Sequence, residues 1–96
     1  MPKARGSVRG SRNEHEIVFY GISTCIWCKR TRKFLEDHGV DFDYAYVDLI
    51  QGQEREEILR EVRRWNPATS FPTIVVDDSR CVIGYKPDEI AEVLGL

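Results

Sequence analysis

The sequence predicts an α/β domain: a mixed four-stranded sheet flanked by three helices, in the order β-α-β-α-β-β-α. Three observations lead there. Short apolar runs of β-branched and aromatic residues, at 17–20 and 73–76, alternate with longer segments of helix formers. A polar tetrad, Asp77-Asp78-Ser79-Arg80, separates two apolar runs in the manner of a hairpin connector. At 96 residues and 42% hydrophobic content, the chain can build one compact domain and not two.

Each element has its own justification. Residues 1–13 carry four basic side chains and one branched aliphatic, Val8, too little apolar surface to offset the entropy of ordering. They are expected to be a disordered basic tail, with the folded domain over 14–96. Ile17-Val18-Phe19-Tyr20, closed by Gly21, reads as a buried strand. Residues 25–38 contain no Gly or Pro and stop at Gly39, so they read as a helix whose C-terminus His38 caps. Residues 42–49, rich in Tyr, Phe and Val, read as a second strand. Over 53–65, Ile58, Leu59, Val62 and Trp65 fall on one helical face and the charges take the other.

Pro67 and Pro72 bracket a loop before the strand at 73–76, and residues 81–83 form its hairpin partner, ending at Gly84. Cys81 is expected there as a small core residue. Pro87 suits the first position of a last helix, with Asp88 and Glu89 in its first turn and Ile90, Ala91, Val93 and Leu94 packing inward. Strands joined by a helix should run parallel with a right-handed crossover, while the hairpin adds an antiparallel pair. Helices on both faces would cover the two continuous apolar strands.

Composition narrows the function classes. The formal net charge is −2, from 14 basic and 16 acidic residues, but four of the basic ones precede Asn13. The remainder therefore carries ten basic against sixteen acidic residues, a poor match for nucleic acid, whose affinity comes from neutralising phosphates. No run approaches the ~20 apolar residues that span a bilayer, and the first 13 residues hold no apolar signal-peptide core. A cytoplasmic protein with neither nucleic-acid nor membrane partner is expected. Three cysteines, two of them a Cys-x-x-Cys pair at Cys25 and Cys28, point to redox work or metal and not to a secreted disulfide framework.

The position of that pair is the most informative feature. At ~100° per residue, Phe34 and Leu35 mark the core side of the helix; Cys25 points to the charged side at its start, and Cys28 sits at the edge of the buried face. Dithiol exchange needs this inequality: one sulfur meets an incoming disulfide and the other waits behind it. Cys25 is the attacking candidate. Unpaired N–H groups at the helix start, together with Lys29, Arg30, Arg32 and Lys33, should bring its pKa below the free value of ~8.5. Cys28, one turn on, can then displace the reduced product. A structural zinc half-site would need further ligands at close spacing, and Cys81, His15 and His38 lie far apart, so no bound metal is expected. The basic run Lys29 to Lys33 is most simply a solvated helix face, with attraction of anionic thiols as the alternative.

Tyr20-Gly21-Ile22-Ser23-Thr24-Cys25-Ile26-Trp27-Cys28-Lys29, then Ser70-Phe71-Pro72-Thr73, then Gly84-Tyr85-Lys86-Pro87-Asp88, resemble the glutaredoxins and glutaredoxin-like redoxins across residues 16–95. The resemblance implies a thioredoxin-like fold and a thiol-disulfide oxidoreductase of electron transport and redox homeostasis. It implies catalysis by Cys25 and Cys28 on protein or mixed glutathione disulfides, with glutathione as reductant. Pro72 would be the family's cis-proline beside Cys25, leaving the Phe71 backbone to pair with an extended substrate. Gly84 would allow close ligand approach and Asp88 would meet the glutathione amine, with Trp27, Lys29 and Tyr85 as further contacts. The common Cys-Pro-Tyr-Cys centre is here Cys25-Ile26-Trp27-Cys28. Ile22 stands where a lysine is frequent, and Asn66-Pro67-Ala68 does not match the polar side chain expected ahead of the proline loop. The segment 84–88 is similar to redoxins that thioredoxin reductase reduces and that serve ribonucleotide reductase. A non-enzyme alternative is an iron–sulfur module in which two chains share a cluster through Cys25 and glutathione. Otherwise a monomer is expected.

Overall fold

The computed structural model describes residues 6–96. Five strands, β1 (Gly6–Val8), β2 (Ile17–Gly21), β3 (Phe42–Tyr46), β4 (Thr73–Val76) and β5 (Arg80–Ile83), form one sheet in the order β1-β3-β2-β4-β5. Three helices, α1 (Ile26–Asp37), α2 (Gly52–Trp65) and α3 (Pro87–Leu94), cover it. β2 is the centre of the sheet. It runs parallel to β3, with Val18 opposite Asp43 and Gly21 opposite Tyr46, and antiparallel to β4, with Ile17 opposite Val76.

Because side chains alternate along a strand, β2 feeds two cores at once. Ile17 and Phe19 join Leu35 of α1 and Ile90 and Leu94 of α3 on one face. Val18 and Tyr20 join Ile58 and Val62 of α2 on the other. Every β2 residue is buried, which is why its sequence is an unbroken apolar run and not an alternating one. The β4–β5 connection is the expected hairpin, with Asp77 and Asp78 both at positive φ.

Two expectations need correction. The sheet has five strands, because part of the segment expected to be a disordered tail is β1, paired antiparallel with β3 from Gly6 opposite Tyr44 to Val8 opposite Phe42. What holds it is backbone pairing, charge and the packing of the single aliphatic side chain Val8 against the α1-side core. Ser7 Oγ donates to Asp43 at 2.6 Å, Arg9 pairs with Asp41 and Asp43 at 3.2 and 3.0 Å, and Arg12 exchanges backbone bonds with Gly39 and Asp41. Gly6 lies against the tip of the Tyr44 side chain, where a Cβ would come within 2.6 Å of Cζ and the hydroxyl oxygen. Residues 1–5 of the expected tail lie outside the described residues.

The second correction concerns residues 47–49, expected to extend the second strand. They form a 3-10 turn, Val47–Leu49. β2 ends at Gly21 opposite Tyr46 and β1 reaches no further than Tyr44, so beyond Tyr46 the strand has no ladder partner on either side. Among the described residues, no helix is long and apolar enough to cross a membrane.

Candidate active site

β2 delivers the chain to a tight turn at 22–24, and α1 begins immediately after it. The expected helix opened at Cys25; in the structure Cys25 is its N-cap, extended at φ −81° and ψ 123°. Its Sγ accepts a hydrogen bond from the Cys28 N–H at 3.3 Å, and its own N–H donates to the Ile22 carbonyl at 3.1 Å. Sulfur here does what a Ser or Asp oxygen does at ordinary N-caps. Cys28, one turn on, is fully buried, and the Ile22 N–H points at its Sγ at 3.4 Å. Gly21 makes this packing possible, since a Cβ there would sit 3.3 Å from the Cys28 sulfur and 2.9 Å from the Phe19 ring.

The two thiols are therefore in opposite electrostatic situations. Partial burial works against ionisation of Cys25, but hydrogen bonds from the Cys28 thiol and from the Cys28 and Trp27 N–H groups outweigh it, and its pKa lies below the ordinary value. Burial pushes the Cys28 thiol up to about 12; the Ile22 N–H opposes this, and the charge of an ionised Cys25 reinforces it.

The basic run of α1 takes a smaller part than expected. Arg30 lies over the Trp27 ring at 5.3 Å. Arg32 turns away to Glu36, the Tyr46 hydroxyl and the Tyr44 ring, and Lys33 pairs with Asp37 at 3.0 Å. The lowered pKa of Cys25 rests on the helix start and its partner thiol.

Beside the pair runs a groove of about 250 Å³ lined by Trp27, Phe71, Pro72, Gly84 and Tyr85. The Phe71–Pro72 peptide bond is cis. Trp27 is half exposed and stacks on Tyr85, with ring centroids 6.0 Å apart and planes 23° from parallel, so it both packs and presents surface. The Pro72 carbonyl accepts from the Gly84 N–H at 2.8 Å, joining the two walls. No intramolecular hydrogen bond takes up the Phe71 N–H or carbonyl among the described residues. Lys29 and Asp88 are exposed and are not part of the lining.

Two residues to which the sequence assigns no role organise this site. Asn66, 2% exposed, donates through Nδ2 to the Ser70 carbonyl at 2.9 Å and to the Ser70 and Thr73 hydroxyls at 3.0 Å, while its Oδ1 accepts from the Ala68 N–H. It ties both flanks of Phe71-Pro72 to the end of α2. Its signal in the sequence was an Asn directly before a proline at a helix terminus, the setting of an Asx turn. Asp48, in the 3-10 turn, accepts from both the N–H and the hydroxyl of Ser23 in the turn ahead of Cys25. Cys81 is half-buried against the α2-side core, its thiol 3.6 Å from the Trp65 carbonyl, and His38 caps α1 through its ring nitrogen, 2.9 Å from the Phe34 carbonyl.

An N-cap thiol backed by a buried thiol, next to a cis-proline groove, is matched by the family comparison: the glutaredoxin family model covers residues 17–81. The chain belongs to the glutaredoxin family. This glutaredoxin is similar in structure to methanoredoxin from Methanosarcina acetivorans, with 41% identity, 99% of this chain and 100% of that chain covered, and a TM-score of 0.94. A glutaredoxin from Methanosarcina mazei Go1 is 48% identical over 97% of this chain and 89% of its own, with a TM-score of 0.90. The NrdH-redoxin from Escherichia coli is 26% identical over 81% of this chain and 95% of its own, with a TM-score of 0.62. The fold is thioredoxin-like, and the glutaredoxin is a thiol-disulfide oxidoreductase, the activity of its family.

Proposed function

We propose that this glutaredoxin reduces protein and mixed glutathione disulfides by dithiol exchange, with Cys25 as nucleophile, Cys28 as resolving thiol and glutathione as electron donor. The observation that carries the reading is the inequality of the two sulfurs: Cys25 half-exposed with a lowered pKa, Cys28 buried with a raised one. The Cys25 thiolate attacks one sulfur of the substrate disulfide; the S–S bond breaks, one substrate thiol leaves, and a mixed disulfide remains on Cys25. Cys28 gives up its proton and attacks the Cys25 sulfur, releasing the second substrate thiol and closing a Cys25–Cys28 disulfide. Two electrons from two glutathione molecules reopen it, and glutathione disulfide forms.

The unengaged Phe71 backbone supports capture of an extended substrate by strand-like pairing. Glutathione carries two carboxylates and an ammonium group. Lys29 and Asp88, exposed and outside the ion pairs found among the described residues, carry charges opposite to these groups.

A second donor is favoured by one feature. The rim of the site is apolar, with Ile26 55% and Trp27 52% exposed, which suits a protein surface better than a charged tripeptide. The NrdH-redoxin relative is described as having a thioredoxin-like activity profile, and for this chain that would mean reduction by thioredoxin reductase. The two are separated by a coupled assay: NADPH consumption with glutathione and glutathione reductase, against NADPH consumption with thioredoxin reductase alone. Turnover with glutathione is expected. Turnover only with the second enzyme moves the donor, and turnover with neither defeats the dithiol reading.

A further inference from the structure

The resolving thiol must ionise in order to attack, and the structure offers it few aids. Cys25 draws its stabilisation from the Cys28 thiol and from the Cys28 and Trp27 N–H groups, all within α1 itself. The hydrogen bond from outside the helix to the Cys28 sulfur is the one from the Ile22 N–H at 3.4 Å. Ile22 lies in the turn between β2 and α1, and the same residue's carbonyl holds the Cys25 N–H. A side chain that ties this turn to the rest of the fold comes from just beyond the end of β3, the parallel neighbour of β2. Asp48 Oδ1 accepts the Ser23 N–H at 2.9 Å, and its Oδ2 accepts the Ser23 hydroxyl. Asp48 lies in the 3-10 turn two residues past Tyr46, as Ser23 lies two residues past Gly21, the residue opposite Tyr46 in the parallel β2–β3 pair.

We propose that Asp48 is a positioning residue for the resolution step: its two bonds from Ser23 hold the Ile22 N–H on the Cys28 sulfur. This rests on the dithiol reading above. It concerns the second half of the exchange, because the donors to Cys25 do not pass through the turn. Two effects of Asp48 oppose each other. The positioned N–H favours the Cys28 thiolate, while the carboxylate's charge disfavours it. The carboxylate is exposed and faces Arg55, so its field is screened, whereas the N–H contact is direct; the hydrogen bond wins. An amide at position 48 keeps both contacts with Ser23, one as acceptor and one as donor, and removes the charge.

The test uses the full chain with Cys81→Ser and stopped-flow reaction of the reduced protein with 5,5′-dithiobis(2-nitrobenzoate). Attack by Cys25 releases one thionitrobenzoate and resolution by Cys28 releases the second. In Asp48→Ala the second release is expected to slow about tenfold, the kinetic equivalent of one displaced hydrogen bond, with the first release changed less than about twofold. Asp48→Asn should restore the second release to the wild-type rate or above, and Ser23→Ala should slow the second release less than Asp48→Ala does. An unchanged second release in Asp48→Ala, an equal slowing of both releases, or an Asn variant no faster than the Ala variant overturns the proposal. Ser23→Ala and Asp48→Asn retain part of the clasp and serve if Asp48→Ala does not fold. Absence of a second release in the Cys81→Ser protein itself would overturn the dithiol reading instead.

Discussion

Cys25 and Cys28 are one kind of side chain in two surroundings, and function follows from the difference. A thiol at a helix N-cap meets N–H dipoles, while a thiol one turn later meets the apolar core of Phe19, Leu35 and Ile90. Cys25→Ser is expected to abolish disulfide exchange. Cys28→Ser is expected to stop dithiol turnover while accumulating a substrate mixed disulfide on Cys25, visible by intact mass spectrometry. A mixed disulfide trapped on Cys28 in the Cys25→Ser protein would reverse the roles. This polarity was legible in the sequence because it needs only the helix start and a spacing of three residues. The weight of the basic run was not. Whether Arg30, Arg32 and Lys33 reach a sulfur depends on Trp27, Tyr44, Tyr46 and Asp37 competing for them, and two of those lie on another strand. Asn66 and Asp48 were equally hidden, since each acts on a backbone segment that only the fold brings near.

At the scale of elements, local signals sufficed wherever an element is held by its own apolar face. β2, α2, β4 and α3 were readable on that ground, and α3 shows Pro87 at its start and Gly95 in the left-handed conformation at its end. β1 was unreadable for the opposite reason. Its sequence lacks an apolar stripe, and its partners Asp41, Asp43 and Tyr44 lie more than thirty residues away. Ladder bonds and exposed ion pairs of this kind contribute modestly, so deletion of residues 1–10 is expected to lower unfolding stability by about 1–3 kcal/mol in urea denaturation. The rate of Cys25 alkylation should be unchanged, because β1 occupies the sheet edge beyond β3. Loss of the folded state, or slower alkylation, would show that β1 supports the site and does not merely cover an edge.

At the scale of the whole molecule, the sheet separates two cores and places both reactive elements at one end of its central strands. β2 leads into the turn before Cys25, and the cis-proline loop leads into β4, its antiparallel neighbour. A polar cleft of about 110 Å³ lined by Glu16, Tyr20, Glu61, Arg64 and Asp78 lies on the α2 side and contains neither cysteine of the pair. The account of function stands on a lowered pKa at Cys25 and a raised one at Cys28, and the sign of each sets a pH order. A lowered pKa keeps thiolate present as pH falls below the ordinary cysteine value of ~8.5, whereas a thiol raised to about 12 remains protonated throughout that range. The most direct measurement is iodoacetamide labelling of the native reduced protein from mildly acidic to alkaline pH, with the modified site mapped by peptide mass spectrometry. Carbamidomethylation of Cys25 is expected first, with a midpoint below the ordinary thiol value, and Cys28 should stay unmodified until strongly alkaline pH. Labelling of Cys28 first, or of neither cysteine below the ordinary thiol value of ~8.5, would contradict the account.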